Sequence, residues 1–282
     1  MLPERAAVTL AGIVTRKTEI VAIAEQPLTE IYFLNAAPRG GMSVERLPVV
    51  RGDIVISGGC ADDLDAIVAC SDLQGVVRGG DDASVLLGVA LAGALEELAY
   101  EGVVPPAART GVILAGDLYS VPEANKRGGH GDVAEVWRAF AERFAWVAGV
   151  AGNHDDVASV PAIGDRIHLL DGEVVELDGL RIGGVGGIIG DPEKRGRRVD
   201  SEFLGAVDRA VDGGLDVLVL HEGRHGDAGQ RGNSAIRETV EAASVGLTIC
   251  GHVHWDSPLA VHGDGGQILN VDARAVVLVV RR

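Results

Sequence analysis

The chain has 282 residues, 47% of them hydrophobic and 4% aromatic, with 40 glycines, so it can bury a sizeable core built mainly from Val, Ala, Leu and Ile. Its 41 acidic against 25 basic residues give a formal net charge of −16, which favours solubility and speaks against general affinity for nucleic acid or anionic membranes. No apolar leader opens the chain, no stretch approaches ~18 uninterrupted apolar residues, and three scattered cysteines form no disulfide framework, so the expectation is a cytoplasmic, reduced protein with no membrane partner.

Residues 1–65 differ from the rest. Short β-rich runs recur over 8–14, 19–24, 30–34 and 54–57, separated by Pro, Gly and polar residues. They predict a small N-terminal β extension, followed by one domain over 66–282. Arg51-Gly52-Asp53 reads as an ordinary turn, and Cys60 and the acidic group Asp62, Asp63 and Asp65 as loop.

From residue 66 the pattern becomes strand, loop, helix, repeated. A strand over 66–70 leads to Asp72, and a helix over 83–100 follows Gly79-Gly80-Asp81-Asp82, which offers a cap. A strand over 111–115 leads to Asp117. The loop over 120–132, with Lys126, Arg127, Gly128, Gly129 and His130, is long for a connection, and such loops are often functional. The helix over 133–144 carries Val133, Val136, Trp137, Phe140 and Phe144 on one face, which sends Trp137 to the core.

A strand over 146–151 carries Asn153-His154-Asp155 past its end. Further β runs cover 167–170, 173–177 and 180–185, with Asp178-Gly179 as a hairpin turn and His168 in a structural role. A basic loop over 190–200, a helix over 201–211, a strand over 215–220 ending at His221, a helix over 234–243 and a strand over 245–250 complete the repeat. β structure over 267–280 ends the chain. Cys70 and Cys250 fall in apolar strands and read as small core residues.

The strand over 245–250 runs into Gly251-His252-Val253-His254-Trp255. Two imidazoles one residue apart can aim at neighbouring points if the backbone turns, which Gly251 permits, and neutral imidazole is a common metal ligand. In open α/β sheets, ligands bind outside the carboxyl ends of the strands. The five strand ends therefore deliver Asp72, Asp117, Asn153-His154-Asp155, His221, and His252 with His254 to one place.

In that order, Asp72-Leu73-Gln74, Gly116-Asp117, Gly152-Asn153-His154-Asp155, His221 and Gly251-His252-Val253-His254 resemble the motifs of the calcineurin-like metallophosphoesterase superfamily, D-x-H, G-D, G-N-H-[DE], H and G-H-x-H. The resemblance spans residues 66–280 and departs at Gln74, where that family has histidine. It implies an α/β fold of the four-layer αββα sandwich type and two divalent metal ions, manganese, iron, zinc or magnesium. By motif, Asp117 would bridge both ions, with Asp72, Gln74 and His254 completing the first site and Asn153, His221 and His252 the second. Such a pair clamps phosphoryl oxygens and turns a bridging water into a hydroxide nucleophile near neutral pH.

The resemblance further implies that His154 protonates the leaving oxygen or steadies the transition state, with Asp155 orienting it. The expected reaction is hydrolysis of a phosphomonoester or phosphodiester in a small-molecule substrate. Arg197 and Arg198 in the loop over 190–200, the loop over 120–132, and Arg224 with His225 are the candidates for substrate selection, since guanidinium groups bind phosphate bidentately. Two other readings stand beside this one: a nuclease or nucleic-acid end-processing enzyme, against which the acidity counts, and a metal-binding regulatory protein with little turnover, suggested by Gln74.

Overall fold

Whether a strand is apolar on one face or on both depends on how many of its faces are covered, and both kinds occur in this chain. The computed structural model describes residues 17–282 apart from 39, 59–61, 80–82, 127–128 and 263–264. The expected β run over 8–14, Cys60, most of the Gly79-Gly80-Asp81-Asp82 cap, and Arg127 with Gly128 lie outside the described residues.

The chain opens with β1 (Thr18–Ile23), β2 (Thr29–Ala36) and the fifteen-residue β3 (Met42–Ile56). β4 (Ala66–Ser71) is followed by β5 (Val76–Arg78), β6 (Ser84–Leu86) and α1 (Leu87–Tyr100). The helix begins later than its expected residue 83 because Val85 and Leu86 pair across a hairpin with Val77 and Val76. Next come β7 (Thr110–Leu114), β8 (Gly131–Asp132), α2 (Ala134–Ala141), β9 (Trp146–Gly149) and β10 (Asp155–Asp156). β11 (Ile167–Leu169), β12 (Val174–Leu177) and β13 (Leu180–Val185) follow. Asp178 and Gly179 between the last two have φ of 49° and 76°, the backbone of a two-residue hairpin turn whose twist matches its strands. His168 lies half-buried in β11, opposite Ala148.

The remaining elements are β14 (Ile188–Ile189), β15 (Arg197–Arg198), α3 (Asp200–Val211), β16 (Val217–Glu222) and α4 (Ser234–Ala242). Asn233 caps α4 by accepting the backbone N–H groups of Ala235 and Ile236. β17 (Leu247–Gly251), β18 (Leu259–Val261), β19 (Gln267–Asn270) and β20 (Arg274–Arg281) end the chain.

The fold is α/β and rich in strands, with four α-helices among the described residues. The larger sheet has the order β11-β9-β7-β4-β20-β3-β2-β5-β6, with β1 added on β3, and the smaller has the order β12-β13-β16-β17-β19-β18. β20 runs antiparallel to β4 and parallel to β3, so the C-terminal strand ties β1 to β3 into the sheet that carries β4, β7 and β9.

β4 is covered on both faces. Ala66, Val68 and Cys70 join Leu91, Trp137 and Phe140 of α1 and α2 in one core cluster. Ile67 and Ala69 point the other way, as the two-residue period requires, into a second cluster with Ile182, Val219 and Ile249 of the smaller sheet. A third cluster packs Phe203 and Val207 of α3 and Ile236 of α4 on Leu218 and Leu220. Trp137 is wholly buried, and Cys70 and Cys250 are buried free thiols. Among the described residues no helix is long and apolar enough to cross a membrane.

Candidate metal centre

Three of the residues at the strand ends have a backbone that side chains rarely adopt: φ is 55° at Asp72, 55° at Asp117 and 66° at His252. Asp and His enter this left-handed region more readily than bulky residues, and it persists where the surrounding structure over-determines it, typically at functional sites. Glycines at the neighbouring turns make the close approach possible. A Cβ on Gly152 would overlap Asp117 Oδ1 and the Asp117 backbone, and a Cβ on Gly251 would overlap Ser71 Oγ and Asp72 Oδ2.

Asp117, His221 and His252 could hold a metal ion, because one ligand atom from each lies within 4.8 Å of the others. His221 is fully buried. Its Nδ1 donates to the carbonyl of Ala115 at 2.8 Å, while Nε2 lies 3.4 Å from Asp117 Oδ1 and 3.3 Å from Asn153 Oδ1. A ring anchored in this way through one nitrogen presents the other to an ion. The His252 ring sits edge-on to His221, its centroid 5.1 Å away.

The electrostatics of the group fit a cation. Burial opposes charge on Asp117, yet His221 and His154 hold its carboxyl below the usual range. Burial likewise opposes charge on His221, but Asp117 and then Asp72 push it up to about 10. Burial and the neighbouring His221 charge push His252 down to about 4, which leaves it in the neutral form that binds metals. Burial pushes Asp72 up to about 7, with His221 opposing and Asp272 and Asp117 adding to the rise. The buried carboxylates thus favour positive charge at His221, and a bound metal ion would take the place of a proton there.

His154 presents its ring from the next turn. Nδ1 lies 2.6 Å from the carbonyl of Gly129, Nε2 lies 3.9 Å from Asp117 Oδ2, and the backbone N–H donates to Asp117 Oδ1 at 2.9 Å. The expectation that Asp155 orients this ring is corrected here. Asp155 accepts three backbone N–H groups, from Leu118 at 2.7 Å, Tyr119 at 3.1 Å and Gly152 at 2.8 Å. It pins the turns after β7 and β9 together, and Gly129, from the loop over 120–132, takes the orienting place. Burial, followed by the charge of Asp117, pushes Asp155 up to about 6.

The other expected ligands are engaged with each other or with residues that the strand-end reading passed over. Asp72 Oδ2 accepts Ser71 Oγ at 2.6 Å and the His252 backbone N–H at 2.9 Å. Gln74 donates its amide to Asp117 Oδ2 at 3.1 Å. His254, with its side chain 56% exposed, has Nδ1 at 3.1 Å from Asp272 Oδ1, and the Arg274 guanidinium lies 3.4 Å from its ring. Asp272 follows the apolar run of β19 just as Asp72 follows β4. Reading 267–280 as one continuous β stretch hid that signal, since the chain bends at Asp272 and Ala273, where φ is 52°.

The four residues expected to select substrate are placed differently from one another. Arg197 and Arg198 form β15, and both line a cavity of about 350 Å³ with Gly152, Asp155 and Gly196. The Arg197 charge acts on His252, whereas Arg198 pairs with Asp171 at 2.6 Å. Arg224 is buried, at 1% exposure, and its charge acts on Cys250 and His262. A guanidinium buried to this degree does not face an open substrate site, contrary to the expectation that Arg224 selects substrate. His225 is half-buried beside it, its N–H donating to the Asn233 carbonyl at 3.4 Å.

No protein-family model matches the chain, and no curated protein matches it. Among solved structures it is similar to TT1561 of Thermus thermophilus, at 18% identity over 76% of this chain and 88% of that one, with a TM-score of 0.47. It is also similar to a novel archaeal phosphodiesterase, at 15% identity over 73% of this chain and 82% of that one, with a TM-score of 0.37. GAP50, the anchor in the inner membrane complex of Plasmodium, is similar at 12% identity over 73% and 71% of the two chains, with a TM-score of 0.41.

Proposed function

We propose that this protein is a metal-dependent phosphoesterase of the calcineurin-like kind, built as a four-layer αββα sandwich and acting on a small phosphomonoester or phosphodiester. The observation that carries this reading is the meeting of Asp117, His221 and His252, from three separate strand ends and both sheets, with their ligand atoms within 4.8 Å of each other. Asn153, 3.3 Å from His221 Nε2, would complete the donor set for one ion. Asp72, Gln74 and His254 would share Asp117 to hold a second. When bound, two divalent ions would neutralise the phosphoryl oxygens and acidify a water for attack.

The chain's own groups supply the rest. The Gly129 carbonyl accepts from Nδ1 of His154 and fixes the ring, so that its doubly protonated form would present Nε2–H to the leaving oxygen. Asp155 keeps the Gly152 and Leu118 turns in register, so that the His154 N–H and its ring keep their places against Asp117. Arg197 adds positive charge on the His252 side and would bind a phosphoryl or neighbouring anionic oxygen. The test is hydrolysis of 4-nitrophenyl phosphate and bis(4-nitrophenyl) phosphate by the full chain, with and without added manganese. Metal-dependent turnover that Asp117→Asn abolishes supports the reading, and its absence on both esters with manganese, iron, zinc and magnesium overturns it.

A further inference from the structure

Strands β1 to β3 supply none of the proposed metal ligands, yet they line a groove that His254 also lines. The groove has a volume of about 1100 Å³ and is lined by Pro27, Pro48 and Val50 from the N-terminal strands and by Leu259, His254 and Arg274 from the C-terminal part of the chain. The face of β2 and β3 turned to the groove is set by their register. Pro48 pairs with Glu30 and Arg46 with Tyr32, whereas the intervening Ile31, Phe33, Leu47 and Val49 pack into the core against the helices. The groove shares His254 with the proposed centre, and contacts lead from it toward Asp72: Arg274 reaches the His254 ring at 3.4 Å, His254 lies 3.1 Å from Asp272, and Asp272 bridges to Ser71 beside Asp72.

The lining sets the chemistry of what lies there. Prolines present apolar surface with a fixed φ and no backbone N–H to satisfy, so this wall is already ordered before anything binds. Its charges do not favour an anion. Arg46 is paired with Glu30 at 3.1 Å, Arg274 donates to the carbonyls of Trp255 and Asp272, and Glu25 and Asp256 stand exposed at the rim. A polyphosphate or nucleic-acid strand would meet carboxylates along this path, and an uncharged apolar chain would meet proline, valine and leucine.

We propose that this groove between the N-terminal strands and the β17–β18 segment binds the organic part of the substrate, and that this part is an uncharged, apolar group of eight or more carbon atoms. The proposal rests on the phosphoesterase reading above, and the test separates the two. Methyl, octyl and 2-carboxyethyl 4-nitrophenyl phosphate share one scissile bond and leaving group, so the full chain with manganese reports the groove through their KM values. The octyl ester should have a KM at least tenfold below the methyl ester, and the carboxyethyl ester a KM above it. Ala24 and Ser257 are exposed residues that also line the groove, and Ala24→Trp and Ser257→Trp should each bring the octyl-to-methyl ratio to within twofold of one.

A second readout needs no turnover. The uncharged dye N-phenyl-1-naphthylamine should fluoresce on binding the wild type and Asp117→Asn alike, and should bind at least tenfold more weakly to the two tryptophan variants. Turnover of all three esters with equal KM, or an octyl preference that survives both tryptophan variants, overturns the groove and leaves the phosphoesterase standing. Dye binding that depends on the groove without turnover of any ester overturns the phosphoesterase reading and, with it, the assignment of the groove to a substrate.

Discussion

The Gln74 side chain donates its amide to Asp117 Oδ2 at 3.1 Å, while the other oxygen of the same carboxylate accepts the His154 backbone N–H at 2.9 Å. The residue that departs from the family motif therefore holds the carboxylate that would serve both ions. A neutral amide oxygen is a poorer donor than imidazole for zinc or iron, so Gln74→His should tighten one of two metal sites. Metal analysis after dialysis against a mild chelator checks this. Two ions retained per wild-type chain, with no gain in the histidine variant, would mean that Gln74 is a full ligand.

Removing Asp117 and removing His154 should differ in kind. Asp117→Ala loses the carboxylate that His221 and His252 converge on and should lose both metal and activity. His154→Ala should keep its metal and lose turnover by roughly 10²–10⁴, the usual size of an acid–base contribution. Calorimetric metal titration beside kcat measurement distinguishes them, and metal loss in His154→Ala would move that residue into the ligand set.

Gly152 has no room for a side chain, since a Cβ there would overlap backbone and side-chain atoms of Asp117. Gly152→Ala should destabilise the fold by about 1–3 kcal/mol, the usual cost of overpacking. It should also displace Asp117 enough to weaken metal binding. Thermal melts with and without manganese measure both effects, and an unchanged melt would contradict the close packing of these turns.

Arg197→Ala should raise KM for an anionic ester with little change in melting temperature, because Arg197 is half-buried and its charge reaches His252. Arg224→Ala should do the reverse. Its guanidinium is buried at 1% exposure, and deleting a buried, partnered charge is among the changes that cost more than about 2 kcal/mol. KM and melting curves of the two variants test the division, which an Arg224→Ala effect confined to KM would refute.

Acid stability should depend on carboxylates that pair with Arg109, Arg281 and Arg282. The Arg281 hydrogen bond holds Asp53 below the usual carboxylate range, and the Arg109 hydrogen bond does the same for Asp65, with Arg282 adding to it. Both carboxyls have a lower pKa folded than unfolded, so their contribution is complete above the unfolded value of about 4 and fades as pH falls through the folded values. Urea unfolding between pH 5 and pH 2 (roughly the window in which such groups titrate) should show a shallower acid limb in Asp53→Asn and Asp65→Asn than in the wild type. Parallel acid limbs in all three would exclude these pairs as a source of acid lability.

Much of the candidate site was legible along the chain because a strand that is apolar on both faces must be buried, and a polar residue just past its end must emerge at the sheet's edge. Asp72, Asp117, Asn153, His221 and His252 could be named on that ground, and the glycines before three of them announced tight turns. The Asp178-Gly179 hairpin and the one-sided face of the helix carrying Trp137 were equally local. Tertiary structure decided what each polar atom touches. Asp155 lies next to His154 in sequence but accepts N–H groups of Leu118 and Tyr119, while the His154 ring turns to Gly129. His254 turns to Asp272 and Arg274, and β20 places itself between β3 and β4. Backbone periodicity states which way a side chain leaves its own strand. Its partners are donors and acceptors brought up from distant parts of the chain, and only the packed fold brings them within hydrogen-bonding distance.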